Sequence, residues 1–218
     1  MNLLEVDNIE LKFKSKDILK AIYFKAKKGK VTGILGSNGT GKSSLIKIIF
    51  GNLIPNNKLI RIDKKPILKP LYQKGIVKML PQTNIFPESF SLKKGFELYK
   101  VSLEVFFNEF TEFIDFKNYH FSMFSGGERR LIETYIILKS NANIILLDEP
   151  FSHISPIFIK KIKDIINSER EKKIIIITDH LYKDILDISD DIYLLKDGWS
   201  KLIKKHDELI FYNYTNTL

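Results

Sequence analysis

Apolar residues along the chain follow two periods, which predict alternating strands and helices. Residues 2–13 alternate apolar and polar side chains, which predicts a strand, and a second strand is predicted over 18–26. Short apolar runs predict further strands over 30–35, 59–62, 75–80, 144–147, 173–178, 192–195 and 199–203. Helical spacing predicts helices over 44–50, 125–139, 157–167 and 181–188. The alternation predicts an α/β fold with a mainly parallel sheet, preceded by an N-terminal antiparallel β part.

Residues 91–118 have a different character, because aromatic side chains recur there at helical spacing. The apolar positions of this stretch are Leu103, Phe106, Phe107, Phe110, Phe113 and Ile114. They predict one face of a single helix. An aromatic stripe could line a ligand groove, but the core of a small helical lobe already accounts for the spacing. We therefore predict one domain over 1–218, with an α/β core at about 1–82 and 141–218 and an inserted helical subdomain at about 83–140.

A glycine-rich segment lies between the third predicted strand and the first predicted helix and reads G-x-x-x-x-G-K-S. Its residues are Gly36, Ser37, Asn38, Gly39, Thr40, Gly41, Lys42 and Ser43, and Ser44 completes the predicted nucleotide-binding set. The glycines let backbone N–H groups point at phosphate oxygens at the positive end of a helix. Lys42 would reach the outer phosphates, and the Ser43 hydroxyl would bind Mg²⁺. The segment therefore predicts a nucleoside triphosphate site.

Three more polar side chains follow buried strands of the predicted sheet. Asp148 and Glu149 come directly after the wholly apolar run 144–147, and His180 follows the run 173–178. Ligands bind at the carboxyl ends of parallel strands, where the phosphate loop also lies. Asp148 could hold Mg²⁺ through water, and Glu149 could polarise or deprotonate the attacking water. The alternatives are a pair of carboxylates that only cap a strand and an ordinary loop histidine.

Composition and charge narrow the function classes. The net charge is +9, but the lysines are scattered and no nucleic-acid reader motif accompanies them, so we predict no specific nucleic-acid partner. The absence of cysteine excludes disulfides, thiolate metal sites and a thiol nucleophile. Residues 1–10 lack a signal pattern, and no apolar run approaches the ~18 residues that span a bilayer. We expect a soluble chain whose membrane-spanning partner, if it has one, is another polypeptide.

Several motifs occur in a fixed order after the phosphate loop. They are Gln82, FSGGERR at 124–130, IILLDEP at 144–150 and TDH at 178–180. This order resembles the nucleotide-binding subunits of the ATP-binding cassette (ABC) family over about residues 3–209. The resemblance implies a P-loop NTPase (RecA-like) fold, ATP and Mg²⁺ as cofactors, and ATP hydrolysis. The residues of these motifs most resemble those of the ATPases of lipopolysaccharide export and branched-chain amino-acid uptake.

The resemblance also assigns roles to single residues. It implies that Gln82 contacts Mg²⁺ and the attacking water and that His180 contacts the γ-phosphate. Phe13 occupies the place of the family's aromatic residue that stacks on adenine. By pattern alone Phe13 is a core residue at a strand end, so both interpretations stay open at this stage.

The segment made of Ser125, Gly126, Gly127 and Glu128 begins a helix and predicts a second anion site, because N–H groups and a hydroxyl are exposed there. The resemblance implies that two chains pair head to tail. Each ATP would lie between the Lys42 loop of one chain and the Ser125 segment of the other. A homodimer is favoured over a heterodimer. The resemblance further implies an integral-membrane transporter subunit as partner and a cytoplasmic location on the inner face of the membrane.

Ser155 departs from the family pattern, which has aspartate at this position to couple the two sites of the dimer. A neutral hydroxyl there leaves open a heterodimer with a more standard partner, or a low-turnover regulatory module gated by ATP. A non-transport ATPase of cofactor assembly or repair is a further alternative.

Overall fold

The computed structural model describes residues 1–205 and 207–215. The strands are β1 Leu3–Phe13, β2 Lys16–Lys27, β3 Val31–Leu35, β4 Asn57–Ile62, β5 Lys65–Pro66, β6 Val77–Leu80, β7 Ile144–Asp148, β8 Ile174–Thr178, β9 Asp191–Lys196 and β10 Trp199–Ile203. The α-helices are α1 Lys42–Phe50, α2 Leu92–Tyr99, α3 Leu103–Glu109, α4 Gly126–Lys139, α5 Pro156–Arg170, α6 Tyr182–Ile188 and α7 Glu208–Phe211. Short 3-10 helices cover Leu71–Lys74, Thr111–Phe116 and Phe121–Met123. Residues 206 and 216–218, which fall within the predicted core segment 141–218, lie outside the described residues.

The strands form two sheets, and their topology confirms the predicted arrangement. The first sheet has the order β2-β1-β4-β5 and is antiparallel throughout. The second has the order β10-β9-β3-β8-β7-β6, and only the pairing of β10 with β9 is antiparallel. Every residue of β3, β7 and β8 is buried. Apolar runs of this kind are expected where a parallel sheet is covered on both faces.

Strand β7 shows how the two faces of the parallel sheet divide the core. Ile144 and Leu146 belong to a hydrophobic cluster with α1 and the antiparallel sheet. Ile145 and Leu147 belong to a second cluster, which contains α4, α5 and the aromatic side chains of the lobe. Successive side chains of a strand point to opposite faces, so one apolar run serves both clusters. The lobe and the sheet thus share one continuous core, and the division into two subdomains stays a prediction.

The prediction of one helix through residues 103–114 is wrong. Helix α3 ends at Glu109, and the chain continues as the 3-10 helix Thr111–Phe116. Side chains three residues apart align in a 3-10 helix. Phe113 therefore contacts both Phe110 and Phe116, with ring centroids 6.4 and 5.8 Å away. Ile114 falls off this aromatic row and is 58% exposed, although the helical period places it in the core.

Helix α2 was not predicted, because few apolar residues mark it. Its buried residues are Leu92, Gly95 and Phe96, which is too short a pattern to stand out. The helix is defined at its start by Ser91, whose hydroxyl accepts a hydrogen bond from the Lys94 N–H. A serine at position 91 is thus the sequence feature that marks the start of this helix.

Candidate nucleotide site

The phosphate loop joins β3 to α1 and depends on glycine at Gly41. This residue immediately precedes α1 and has φ +98°, a left-handed conformation that side chains with a Cβ adopt at a cost. A Cβ at Gly41 would also lie 2.8 Å from Leu19 and 2.9 Å from Ile18. Both the backbone angle and the close approach of β2 therefore require glycine here.

Lys42 lies beneath the phosphate loop with its ammonium group bound to the loop's own backbone. Nζ donates to the carbonyl oxygen of Gly36 at 2.6 Å and to that of Ser37 at 3.2 Å. The side chain is buried, and desolvation lowers the pKa of Lys42 while the nearby carboxylates of Glu149 and Asp148 oppose this shift. A cation held this way can exchange its carbonyl partners for phosphate oxygens.

Asp148 ends β7 and meets the phosphate loop through Ser43, whose Oγ donates to Asp148 Oδ1 at 3.1 Å. The other carboxylate oxygen, Oδ2, is buried and has no hydrogen-bond partner among the described residues. Burial, with a smaller contribution from the charge of Glu149, raises the pKa of Asp148 to about 6. A hydroxyl and a free carboxylate oxygen side by side are ligands that Mg²⁺ accepts. The residues therefore fit the predicted ion.

The described residues contain no cluster of three or more His, Cys, Asp or Glu side chains that could hold a metal ion. Mg²⁺ commonly binds one or two protein oxygens and takes its other ligands from substrate phosphates and water. Ser43 and Asp148 match this mode of binding, which needs the nucleotide to complete the coordination.

Glu149 lies at the centre of the predicted catalytic group. Its Oε1 accepts a hydrogen bond from Gln82 Nε2 at 2.7 Å, and its Oε2 accepts one from Ser152 Oγ at 3.3 Å. The Nδ1 atom of His180 lies 3.6 Å from the same Oε2. The structure thus brings Gln82, Glu149 and His180 together, although they are far apart in sequence. Their assigned roles in hydrolysis stay predictions.

A cleft of about 510 Å³ connects these groups. It is lined by Phe13, Ile18, Asn38, Gly39, Gly41, Lys42, Ser43, Ser44, Gln82 and Glu149. Phe13 is 50% exposed, so its interpretation as a core residue is wrong. The ring forms one wall of the cleft, where it is available to stack on a nucleobase.

The Ser125 segment forms a helix start whose residues are not part of this cleft's lining. Ser125 Oγ accepts from the Glu128 N–H at 3.3 Å, and Glu128 Oε2 accepts from the Ser125 N–H at 2.8 Å. This reciprocal pair is a capping box, which stabilises the first turn of α4. None of residues 125–128 lines the cleft that holds the phosphate loop.

Gly127 packs directly on the loop before α5. A Cβ at this position would lie 2.3 Å from the carbonyl oxygen of His153, which is backbone and cannot rotate away. We expect Gly127→Ala to lower the free energy of unfolding by about 1–3 kcal/mol, as overpacking does. Gly126→Ala is the matched control, because its Cβ would meet no atom within 4 Å among the described residues. Urea denaturation of both variants measures the difference, and equal stability of the two would contradict this packing.

Arg130 was not predicted from the sequence as a site residue, although it connects the ends of β6 and β7. Its guanidinium group donates to the carbonyl oxygen of Pro81 at 2.6 Å, to that of Glu149 at 2.9 Å, and to that of Asp148. The segment FSGGERR was recognised in the sequence. Residue spacing, however, does not predict hydrogen bonds from one of its side chains to carbonyl groups in distant segments. Asp179 was also missed. It is buried and accepts the N–H groups of Phe151 and Leu181, which fixes the loops on both sides of the site.

The raised pKa of Asp148 predicts a pH-dependent stability in cation-free protein. The folded chain holds this proton more tightly than the unfolded chain, whose pKa is near 3.8. The stabilisation is therefore full below pH ~4 and is lost as the pH rises through about 6, by up to about 3 kcal/mol. Asp148→Asn lacks the titrating carboxyl group, so its unfolding free energy does not change with pH through this position. With chelator present, we expect the variant's unfolding free energy, relative to wild type, to rise by about 1–3 kcal/mol from pH 4 to 7.5. A pH-independent difference would contradict the shift.

A search of the described residues for membrane-spanning helices found none that is long and apolar enough.

Comparisons with known proteins agree with the site geometry. The family described as "ABC transporter" matches residues 19–152. The arabinose import ATP-binding protein AraG of Mannheimia succiniciproducens is 32% identical, over 89% of this chain and 42% of that protein. The lipopolysaccharide export system ATP-binding protein LptB of Haemophilus influenzae is 27% identical, over 91% of this chain and 88% of that protein. The chain thus spans less than half of AraG but most of LptB.

Solved structures show the same fold. An ATP-binding subunit of an ABC transporter superposes with a TM-score of 0.83 and 21% identity, covering 97% of this chain and 93% of that one. A nucleotide-free ATP-binding cassette from an ABC transporter gives a TM-score of 0.77 and 23% identity, covering 99% and 96%. These likenesses confirm the P-loop NTPase fold. Because the family match covers more than half of the chain, the chain belongs to the ABC transporter family, as an ATP-binding ATPase component.

Proposed function

We propose that two copies of the chain close head to tail on two molecules of ATP with Mg²⁺. The observation that supports this proposal is the separation, within one chain, of the two segments predicted to bind anions. The phosphate loop lines the cleft, whereas the Ser125 segment lies outside it, with open space around Gly126 among the described residues. A second copy in the opposite orientation would bring its Ser125 segment to the open side of the cleft.

The chain's own groups would divide the chemistry between binding and proton transfer. Bound Mg²⁺ would supply positive charge against the phosphate oxygens, held by Ser43 and Asp148. Lys42 and the loop N–H groups would bind the phosphates. Glu149 would take the proton of the attacking water, because its carboxylate is already oriented by Gln82 on one oxygen and Ser152 on the other. His180 would contact the γ-phosphate.

The partner of this dimer would be an integral-membrane transporter subunit, with the ATPase placed at the cytoplasmic face of the membrane. The names of AraG and LptB, one an import and one an export component, support a transport role. Co-purification of a multi-helix membrane protein from gently solubilised membranes would support this partner over a role in cofactor assembly or repair.

Mixing two inactive variants tests the composite site. Lys42→Ala removes the ammonium group that would bind the phosphates. Ser125→Arg places a bulky side chain at the start of α4, where this chain would contact the ATP bound to the other copy. A mixed head-to-tail dimer contains one site with both groups intact, so turnover should reappear on mixing. Steady-state phosphate release with Mg²⁺ measures this, with each variant alone as control. A site built within one chain would give no recovery.

The same assay distinguishes an active ATPase from a low-turnover regulatory module that is gated by ATP. Ser155 directly precedes α5, and its side chain makes no capping hydrogen bond among the described residues. Turnover by the wild-type chain with Mg²⁺ would support the ATPase, and ATP binding without turnover would support the regulatory module.

A further inference from the structure

Three charged side chains in the first two turns of α4 are buried. Arg129, Arg130 and Glu133 are 5%, 6% and 0% exposed. Burying a charge costs free energy unless hydrogen bonds or an opposite charge compensate for it. Helix α4 starts at the Ser125 segment, so these side chains extend from that segment toward the interior. The partners of the three groups therefore indicate what the start of this helix is attached to.

Arg130 is hydrogen-bonded to the backbone at the carboxyl ends of two neighbouring strands, β6 and β7. Its guanidinium group donates to the carbonyl oxygens of Asp148 and Glu149 at the end of β7, and to that of Pro81 after β6. Pro81 is the residue directly before Gln82. Five donors in a rigid fork suit this task, which a lysine could not perform with the same geometry.

Arg129 and Glu133 hold the chain on the other side of Gln82. Glu133 Oε1 accepts the N–H groups of Ile85 at 3.1 Å and Phe86 at 3.4 Å. Arg129 pairs with the same oxygen through Nε at 3.2 Å and donates to the carbonyl oxygen of Phe86. The Phe86 ring stacks on Phe121, with centroids 4.6 Å apart. Both polar groups of the Phe86 backbone are thus bound to α4.

Gln82 lies between these two attachments. The residue before it is bound to Arg130, and the chain three residues after it is bound to Glu133. Its own amide reaches Glu149 at 2.7 Å. The geometry points to Arg129, Arg130 and Glu133 as positioning residues that set the amide of Gln82 against the carboxylate of Glu149. This assignment rests on the proposed function, and it connects the Ser125 segment, which starts α4, to the water-activating pair.

Glu133→Leu tests the attachment, because leucine is similar in size but cannot accept the two N–H groups. We expect kcat to fall about ten- to hundredfold, the loss expected from a misplaced catalytic group, with ATP affinity changed less than about threefold. Glu133→Gln keeps an oxygen acceptor and should restore most of the turnover. A role in packing alone would leave the kcat of Glu133→Leu near the wild-type value, because leucine keeps the volume of the side chain.

A double-mutant cycle with Gln82→Ala identifies the route. If Glu133 acts through Gln82, then adding Glu133→Leu to Gln82→Ala should lower kcat by less than about twofold more, since coupled effects do not multiply. Glu169→Gln is the matched control. Glu169 is a buried carboxylate paired with Lys173 at 2.8 Å, away from the cleft lining, and should leave kcat unchanged.

Each outcome of this experiment has a meaning. Losses that multiply in the cycle, or a folded Glu133→Leu with wild-type kcat, would overturn the positioning role. If circular dichroism shows that Glu133→Leu is unfolded, Arg129→Lys replaces it, because lysine cannot bind Glu133 and the Phe86 carbonyl together with the same fork geometry. A wild-type chain without turnover would instead contradict the proposed function, which distinguishes the two failures.

Discussion

Replacing Glu149 with glutamine should lower ATP turnover about 10²–10⁴-fold and leave ATP binding nearly intact. Glutamine has the same shape, so Ser152 and Gln82 can still hold the side chain in place. Its amide cannot take a proton from the attacking water at neutral pH. Glu149 lines the cleft from a backbone with φ +57°. Phosphate release measures turnover, and equilibrium dialysis with nucleotide measures binding.

Glu112→Gln is the control for this prediction. Glu112 lies on the helical lobe, its side chain is 37% exposed, and it forms an ion pair with Lys161 of α5 at 3.0 Å. The loss of this exposed pair should leave turnover unchanged. Turnover of Glu149→Gln within about threefold of wild type would show that another group acts as the base, and the assignment of Glu149 would then be wrong.

Replacing Lys42 with alanine should weaken ATP binding about ten- to a hundredfold or more. A hydrogen bond to a charged group contributes about 1.5–3 kcal/mol, and every 1.4 kcal/mol changes the dissociation constant about tenfold. Lys42 is buried beneath the loop, where its Nζ donates to the carbonyl oxygen of Gly36 at 2.6 Å. Isothermal titration with ATP and Mg²⁺ gives the dissociation constant directly.

Lys47→Ala provides the matched control, since Lys47 lies on the same helix but is exposed. It should change the affinity by less than about threefold, because exposed charges contribute little. An equal loss in both variants would indicate a general charge effect and would contradict a specific role for Lys42 at the phosphates.

The sequence predicted the parallel sheet well, because burial on both faces leaves a plain signal. The run 144–147 is apolar at every position, and the structure confirms it as part of a central strand. Prediction failed where the period changed, at Phe110. Six apolar residues at 103–114 fit a helical period. In the structure Phe110 packs on Tyr135, with ring centroids 5.7 Å apart, and the chain continues from there as a 3-10 helix. Tertiary contacts of this kind leave no local signal.

The candidate site was predictable where its residues end strands. The phosphate loop, Asp148, Glu149 and His180 come together because parallel strands deliver their carboxyl ends to one edge. Arg130 and Glu133 were not found, since their partners are backbone groups of segments about 20 to 50 positions away. Such bonds depend on how α4 lies across the sheet. The exposure of Phe13 was undecidable from pattern alone, because strand ends occur both inside and outside the core.

The central claim is a nucleotide site shared between two chains, and the mass of the complex tests it most directly. Light scattering on Glu149→Gln with ATP and Mg²⁺ should show a dimer, because binding is retained while turnover is blocked. Without nucleotide, or with Ser125→Arg added, the same protein should be a monomer. A chain that binds ATP with normal affinity yet remains a monomer under these conditions would contradict the shared site.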